Sequence, residues 1–478
     1  MKVLLSFVLL LSVSLSSAQN NNQRWTLEAC IKYALDNNIS IKQSELDVKN
    51  ADINKSDAIG NLMPNINANM SNSWASGLTQ NVTTGVLENQ TVRNFSAGAT
   101  ASITLFDGLA NIRQVHRAKL AQLAGKYSLN KMKDDITLSI ANAYLQILVS
   151  KQTLENLQEQ NQVTQEQIEQ TQAQIDAGTL PQGDILQLEA TNADEQQQII
   201  VAENDIRIAR INLAQILLID DYQNFRIADD TYDIPVTPIL SKTPEEIIQE
   251  AKKDRYEVKI AEQNLAIAEK DLQIARGAYY PSLSGFLNFN TRESDRNRVG
   301  RGGIDPDNPT QEIGVVESTG ETVVAPNFQT LALDPLDFFD QLDRNQGTTY
   351  GLRIDIPIFN GNATRNQVER RKVDIMRSEY NLQQAKLDLE SNVYQAYVDA
   401  QGAAKSYEAA RKAVNAQQTA FEYAKERFEV GMINSVSFAQ SQLNLTQAKN
   451  RLTNAKYNYI FRLKVLELYF GERPIEYE

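Results

Sequence analysis

Four stretches of the chain alternate apolar and polar residues with a period of two. In one, Phe95, Ala97, Ala99, Ala101, Ile103 and Leu105 interleave with Asn94, Ser96, Gly98, Thr100, Ser102 and Thr104. In another, Tyr350, Leu352, Ile354, Ile356 and Ile358 interleave with Gly351, Arg353, Asp355 and Pro357. Residues 66–74 and 283–290 are weaker partners. Alternation predicts strands with one apolar face, and lengths of roughly 9–12 residues match a transmembrane β-strand.

Elsewhere the period is helical. Thr26 to about Asn61 reads as a helix, opened by Thr-x-Glu and closed by Gly60 and Pro64. Asp107 to Ala177 contains no proline and ends at Gly178, a helix of roughly 105 Å at ~1.5 Å per residue. The turn Gly178-Thr179-Leu180-Pro181-Gln182-Gly183 leads into a return helix from Asp184 to Leu218. On the long helix, Ile136, Ile140, Ala143 and Ile147 form one stripe, and Leu138, Ala141, Leu145 and Leu148 a nearly opposed one. Two stripes require a neighbour on each side, as for a stave in a wall. Further along, the Gln-rich seam of Leu154, Leu157, Thr164, Ile168 and Ile175 meets return-helix heptads at Ile185, Leu188, Ile199, Ala202, Ile206, Ala209, Leu213 and Ile216. This predicts an antiparallel hairpin with a weak, polar core.

The pattern occurs twice. At an offset of 253 stand Phe106/Phe359, Gly108/Gly361, Ala110/Ala363, Arg117/Arg370, Tyr144/Tyr397 and Gly178/Gly431. At an offset of 217 stand Thr26/Thr243, Ala34/Ala251, Gly60/Gly277 and Pro64/Pro281. Collinear matches at glycine, proline and aromatic positions indicate two internal repeats, 19–218 and 243–470, joined by 219–242 and followed by 471–478. The offsets differ by 36, so the second copy carries 36 extra residues, assigned to an enlarged loop 291–347.

Composition narrows the chemistry. The 478 residues carry a formal net charge of −13, which argues against a nucleic-acid partner. One histidine (His116) and one cysteine (Cys30) exclude a His/Cys zinc site and a disulfide framework. His116 reads as solvated and Cys30 as a lone buried thiol. Acidic pairs such as Asp220-Asp221 and Asp229-Asp230 lack a calcium-loop pattern, so no metal or cofactor is expected. Lys2, the apolar run Val3 to Leu15 and Ser16-Ser17-Ala18 predict a signal peptide over 1–18. Beyond it no apolar run spans a bilayer as a helix, so any span consists of strands. Four strands leave two open edges, which lipid does not tolerate, so copies must pool their strands. Two copies give eight and three give twelve, and the arithmetic alone does not choose. Trp74, Phe106, Tyr279, Tyr280 and Phe359 cluster at the strand ends, as an interfacial belt requires. A soluble periplasmic coiled-coil scaffold or tether is the alternative reading. A surface hydrolase using Glu293, Asp295, Asp305 and Asp307 is a more distant one.

Signal peptide, duplicated helix–strand–strand–helix order, Phe-Asp/Asn-Gly-x-Ala after a strand and Gly-x5-Asp at a helix hairpin together resemble the TolC-type outer membrane efflux proteins. The resemblance spans residues 25 to 471. It implies a mixed α/β membrane protein, a homotrimer in which each chain gives four strands to a 12-stranded outer membrane β-barrel. Long antiparallel helical hairpins would form a periplasmic α-barrel, with 219–242 and 471–478 in an equatorial belt and loops 75–93 and 291–347 outside the cell. The implied function is a passive, non-enzymatic duct of a tripartite efflux or type I secretion system. Its implied partners are outer membrane lipid, a periplasmic adaptor (membrane fusion) protein and an inner-membrane pump. By the same resemblance, Gly178, Thr179, Leu180, Asp184, Gly431, Met432 and Ile433 belong to the periplasmic tip where adaptors dock. Ser437, Gln440 and Phe428 belong to the tip constriction. Ser437 and Gln440 stand where relatives carry aspartates, Phe428 where they carry a latching tyrosine, and Ile433 where they carry a latching arginine. A neutral Ser/Gln ring holds fewer divalent cations. Local chemistry offers a plainer account of two of these residues, since Asp184 and Ser437 are both good helix N-caps.

Overall fold

A computed structural model describes residues 24–81, 85–228, 232–235 and 237–471. The expected signal peptide, the Asp229-Asp230 pair and 472–478 lie outside the described residues. In chain order the elements are α1 (Leu27–Asn37), α2 (Ile39–Gly60), β1 (Asn65–Gln80), β2 (Leu87–Phe106), α3 (Ala110–Asp176) and α4 (Gly183–Leu217). A 3-10 turn, Pro238–Ser241, precedes α5 (Pro244–Asp254), α6 (Tyr256–Gly277), β3 (Ser282–Ser294), β4 (Arg298–Ile304), β5 (Thr310–Val315) and β6 (Thr322–Pro326). Then come β7 (Phe328–Leu333), α7 (Phe338–Arg344), β8 (Gly347–Asp355), α8 (Ala363–Glu429) and α9 (Ser435–Phe470). Two compact units divide the chain, one helical (1–52, 120–266, 376–478) and one strand-bearing (53–119, 267–375).

In the helical unit two cores account for the apolar stripes. Cys30, Ile31 and Ala34 of α1 meet Ile140, Tyr144, Ile147 and Leu148 of α3, Leu213 and Leu217 of α4, and Tyr457 and Ile460 of α9. Ile247, Ile248 and Ala251 of α5 meet Leu389, Val393 and Ala400 of α8, and Leu463 and Leu466 of α9. Burial pushes the Cys30 thiol up to about 12, so it stays protonated and behaves as an apolar side chain.

The helix expected to run unbroken from Thr26 to Asn61 is interrupted at Asn38, which is extended at ψ 132°. Its Oδ1 accepts from the Ser40 and Ile41 amides (2.9 and 3.4 Å), capping α2, while its Nδ2 donates to the Ile216 carbonyl at 2.9 Å. The break between α5 and α6 falls on Arg255, at ψ 133° and 217 positions further on. There the stabilising partners are charges: Arg255 Nη1 lies 3.1 Å from Asp134 and Nη2 3.0 Å from Glu257, with Tyr469's ring 5.4 Å away. Left-handed backbone recurs in the same way, at Gly108 and Gly361, Leu109 and Asn362, Gly178 and Gly431, and Leu218 and Gly471, each pair 253 apart.

The strand-bearing unit holds an antiparallel sheet in the order β1-β2-β3-β8. Its first hairpin exceeds the expected 66–74 segment. β1 and β2 pair from Asn65↔Ser102 to Gln80↔Leu87, so most of the expected loop 75–93 is strand and the connection is reduced to 81–86. Thr91 donating to Ser76 at 3.1 Å continues the ladder's polar pairing there. Residues 291–347 are likewise no open loop. β4 pairs with β7 and β5 with β6, a nested hairpin extension, and α7 lies on β3. Thr291 Oγ1 donates to the Leu342 carbonyl at 2.6 Å, Gln341 Nε2 to the Ser294 carbonyl at 2.9 Å, and Phe338 packs on Phe95 with centroids 5.1 Å apart. β8 ends at Asp355, so Ile356 and Ile358 fall beyond the strand although they continue the alternation; Pro357 between them cannot donate to a ladder.

Candidate functional site

Strand register places side chains on faces without ambiguity, because paired residues point the same way. Ile66↔Ala101↔Leu287↔Tyr350 and Met70↔Ala97 lie on one face; Asn67↔Thr100↔Asn288↔Thr349 and Asn69↔Gly98↔Asn290 lie on the other. The first face is apolar yet exposed, with Ile66 at 74%, Met70 at 79% and Tyr350 at 80%. A soluble sheet hides such a face, whereas this one presents it. Trp74, Phe106, Tyr279, Tyr280 and Phe359 are all exposed. Phe106 closes β2, Tyr279 and Tyr280 immediately precede β3, and Phe359 follows β8. Trp74 departs from the expected position at a strand end, because β1 continues to Gln80 and pairs Trp74 with Arg93.

At the two helix hairpins the backbone repeats bond for bond. Gly178 (φ 72°) donates to the Ile175 carbonyl at 2.8 Å and Thr179 to Gln174 at 2.9 Å. Gly431 (φ 74°) donates to Phe428 at 2.9 Å and Met432 to Arg427 at 2.8 Å. Both are Schellman-type ends needing a left-handed residue, which glycine adopts without strain. Thr179 also donates its hydroxyl to Gln174 at 2.8 Å. Leu180 and Ile433 are half-buried, and Met432 is 68% exposed.

The capping account of Asp184 and Ser437 does not hold. The residue before α4 is Gln182, which makes no side-chain cap, and Asp184 sits inside the first turn, where its charge favours the helix N-terminus. The cap of α9 is Asn434, whose Oδ1 accepts from the Ser437 amide at 2.9 Å. The Ser437 hydroxyl is therefore released from backbone duty, and it and Gln440 are exposed. Phe428 turns inward, its ring 5.0 Å from that of Phe438, which is 1% exposed and also meets Phe421 at 5.5 Å. Phe438 was not singled out from sequence. The available signal was its place four residues after the Asn434 cap, where a hydrophobic residue staples a helix start.

Behind the first hairpin Leu157, Thr164, Ile185 and Leu188 of the expected seam are buried, and polar residues share the core with them. Glu195 of α4 is 2% exposed and accepts from Gln160 Nε2 (2.7 Å), Asn161 Nδ2 (3.1 Å) and Thr164 Oγ1 (3.0 Å) of α3. Gln442 of α9 donates to the Gln160 carbonyl. Of the distant hydrolase candidates, Glu293 is held by Arg93 at 2.6 Å and Asp295 accepts from the Arg93 amide at 2.7 Å. Asp305 accepts from the Asp307 amide at 3.0 Å. No group of three or more His, Cys, Asp or Glu among the described residues could hold a metal ion. No helix among them is long and apolar enough to cross a membrane.

An exposed apolar sheet face is what a strand-built membrane protein presents to lipid, and comparison with known proteins agrees. The chain belongs to the outer membrane efflux protein family, whose pattern it matches over residues 30–217 and 247–472. It is 22% identical to the outer membrane protein TolC of Escherichia coli K12, over 95% of this chain and 83% of that protein. It is 25% identical to the pyoverdine export outer membrane protein OpmQ of Pseudomonas aeruginosa, over 57% of this chain and 59% of OpmQ. The chain thus spans about three-fifths of OpmQ. The crystal structure of the Campylobacter jejuni CmeC outer membrane channel superposes with a TM-score of 0.73 at 16% identity, over 93% of this chain and 85% of that one. Members of the family are transport channels, and the protein is an outer membrane protein with an extended periplasmic portion.

Proposed function

We propose that the protein is the passive outer membrane duct of a tripartite efflux or type I secretion system. It gives small molecules or protein a water-filled path from a periplasmic adaptor and inner-membrane pump to the exterior. The observation that carries this reading is the four-stranded sheet, apolar and exposed on one face, polar on the other, with the outer edges of β1 and β8 unpaired within the described chain. Lipid excludes open edges, so β8 of one chain joins β1 of a neighbour, and with three chains, as the family resemblance implies, a 12-stranded barrel closes with its polar face lining the lumen. The long helices form the staves of a periplasmic tunnel, and the recurring left-handed positions reflect an internal duplication. The 291–347 extension projects outside the cell. Energy comes from the pump, so the duct needs no catalytic group. OpmQ's role in pyoverdine export supports outward transport.

Native mass spectrometry of protein released from detergent tests the reading. Three chains are expected, with detergent required for solubility. One or two chains, stable without detergent, would instead establish the soluble scaffold.

Gly178, Thr179, Leu180, Asp184, Gly431, Met432 and Ile433 form the adaptor-docking tip. Ser437 and Gln440 line its constriction, which Phe428 steadies from behind through Phe438. With Ser437→Asp and Gln440→Asp together, single-channel current becomes more sensitive to added Mg²⁺, because carboxylates bind hard cations that hydroxyl and amide groups hold weakly. An equal response of both forms would place the constriction elsewhere.

A further inference from the structure

Three arginines of the helical unit converge on one concavity. Arg207 and Arg210 lie on the last turns of α4, and Arg226 lies on the segment that follows it. With Ile211, Tyr222 and Gln223 they line one concavity of about 340 Å³. None forms an ion pair with a carboxylate among the described residues, although the chain carries 60 acids against 47 bases. The neighbouring acid Asp221 spends its carboxylate chiefly on the Asn224 side chain, at 3.2 and 2.9 Å, and the Arg226 charge reaches it more weakly.

The concavity is built, not a chance meeting of long side chains. Phe225 and Ile227, 3% and 1% exposed, anchor the segment on both sides of Arg226. The Arg226 carbonyl accepts from the Trp25 amide at 3.0 Å. The Arg226 guanidinium is aimed by the carbonyls of Gln223 and Phe225, both accepting from Nη1, which leaves Nη2 unengaged. Arg210 is half-buried and spends only Nε, on the Ile206 carbonyl at 3.4 Å. Burial, then the charges of Arg226 and Arg207, hold its guanidinium below the ordinary arginine value. Like charges held together in a partly desolvated cleft are unfavourable unless an anion joins them. Guanidinium groups present N–H donors in a planar fork that matches oxyanions two bonds at a time.

We propose that Arg207, Arg210 and Arg226, with the Tyr222 hydroxyl, form a binding site for a phosphate group, either free inorganic phosphate or a phosphomonoester. The site shares no residue with the hairpin tips or the sheet, and it stands whether or not the duct reading does. Binding replaces mutual repulsion by charge-assisted hydrogen bonds. It clips the segment after α4 to that helix.

The test is isothermal titration of the full-length, detergent-solubilised protein with sodium phosphate and, separately, glycerol 3-phosphate, in a low-chloride buffer near pH 7.5. Saturable binding is expected, weakened by about tenfold or more in Arg210→Gln and in Arg226→Gln, and less so in Arg210→Lys, which keeps the charge but not the fork. Saturation by inorganic phosphate alone identifies the free anion as ligand; equal or tighter saturation by glycerol 3-phosphate identifies a phosphomonoester. Arg226→Gln lies on the exposed side and serves as the folded control if Arg210→Gln does not fold. Absence of saturation by either probe, or titrations unchanged by both glutamine variants, would overturn the proposal. Loss of oligomer in the variants without anion binding would also overturn it, and would assign the arginines to acidic side chains of a second copy.

Discussion

Replacing Arg255 by methionine is expected to destabilise the helical unit by about 3–5 kcal/mol, the range for removing one partner of a buried ion pair. The Arg255 side chain is 4% exposed and that of Asp134 is fully buried, so the variant takes the Arg255 charge away from a carboxylate that α3 does not present to water. It also opens the α5–α6 junction, because Arg255 is the extended residue around which the chain turns. Adding Asp134→Asn should recover a large part of the loss, since it removes the buried charge that Arg255 balanced. The acid limb of stability carries a second signature. Burial alone would push the Glu257 carboxyl up, but the Arg255 hydrogen bond and charge outweigh it and hold the group below its ordinary value. A lowered native value means this contribution is complete above the ordinary carboxylate range. It is lost as pH falls through the native value. That slope should flatten in Arg255→Met. Thermal or urea unfolding as a function of pH measures both effects, and a loss under about 1 kcal/mol would mean that water reaches Asp134.

Leu352→Arg is expected to block assembly into the outer membrane, whereas Thr349→Arg is expected to be tolerated. Leu352 is 68% exposed on the apolar face of β8, and Thr349 lies on the polar face opposite Asn288. An arginine on the lipid face of a barrel costs about 2–4 kcal/mol near the midplane, and in the proposed trimer each chain would incur it. On the polar face β8 already carries an arginine, Arg353, beside Leu352. The measurement is the fraction of each variant recovered as detergent-extracted oligomer from outer membranes. Equal recovery of both would show that the two faces are not lipid and lumen.

The difference between those neighbouring positions was legible in the chain, because period-2 alternation is a local property that pairing preserves. The long helices were equally legible: a proline-free stretch expected at 107–177 appears as α3 over 110–176. The helix breaks were not. Asn38 offers a local capping signal, but Arg255 is a good helix former, and nothing near it in sequence announces that Asp134, 121 residues away, will hold it extended. At the second hairpin the sequence reads Ser437 as the cap, and only the observed bond from the Ser437 amide to Asn434 shows that Asn434 acts instead. The polar seam shows the same limit. Glu195 reads as a solvated glutamate until α3 brings Gln160, Asn161 and Thr164 onto it.

By itself the sequence determined the two unlike faces of the four sheet strands, the long helices and the reversals at Gly178 and Gly431, because periodicity and left-handed glycine are written within a few residues, but it did not show the strands within 291–347. Only the tertiary structure decided where helices break, which polar groups are buried, how far the hairpins extend and which arginines meet, because those outcomes depend on partners far away along the chain.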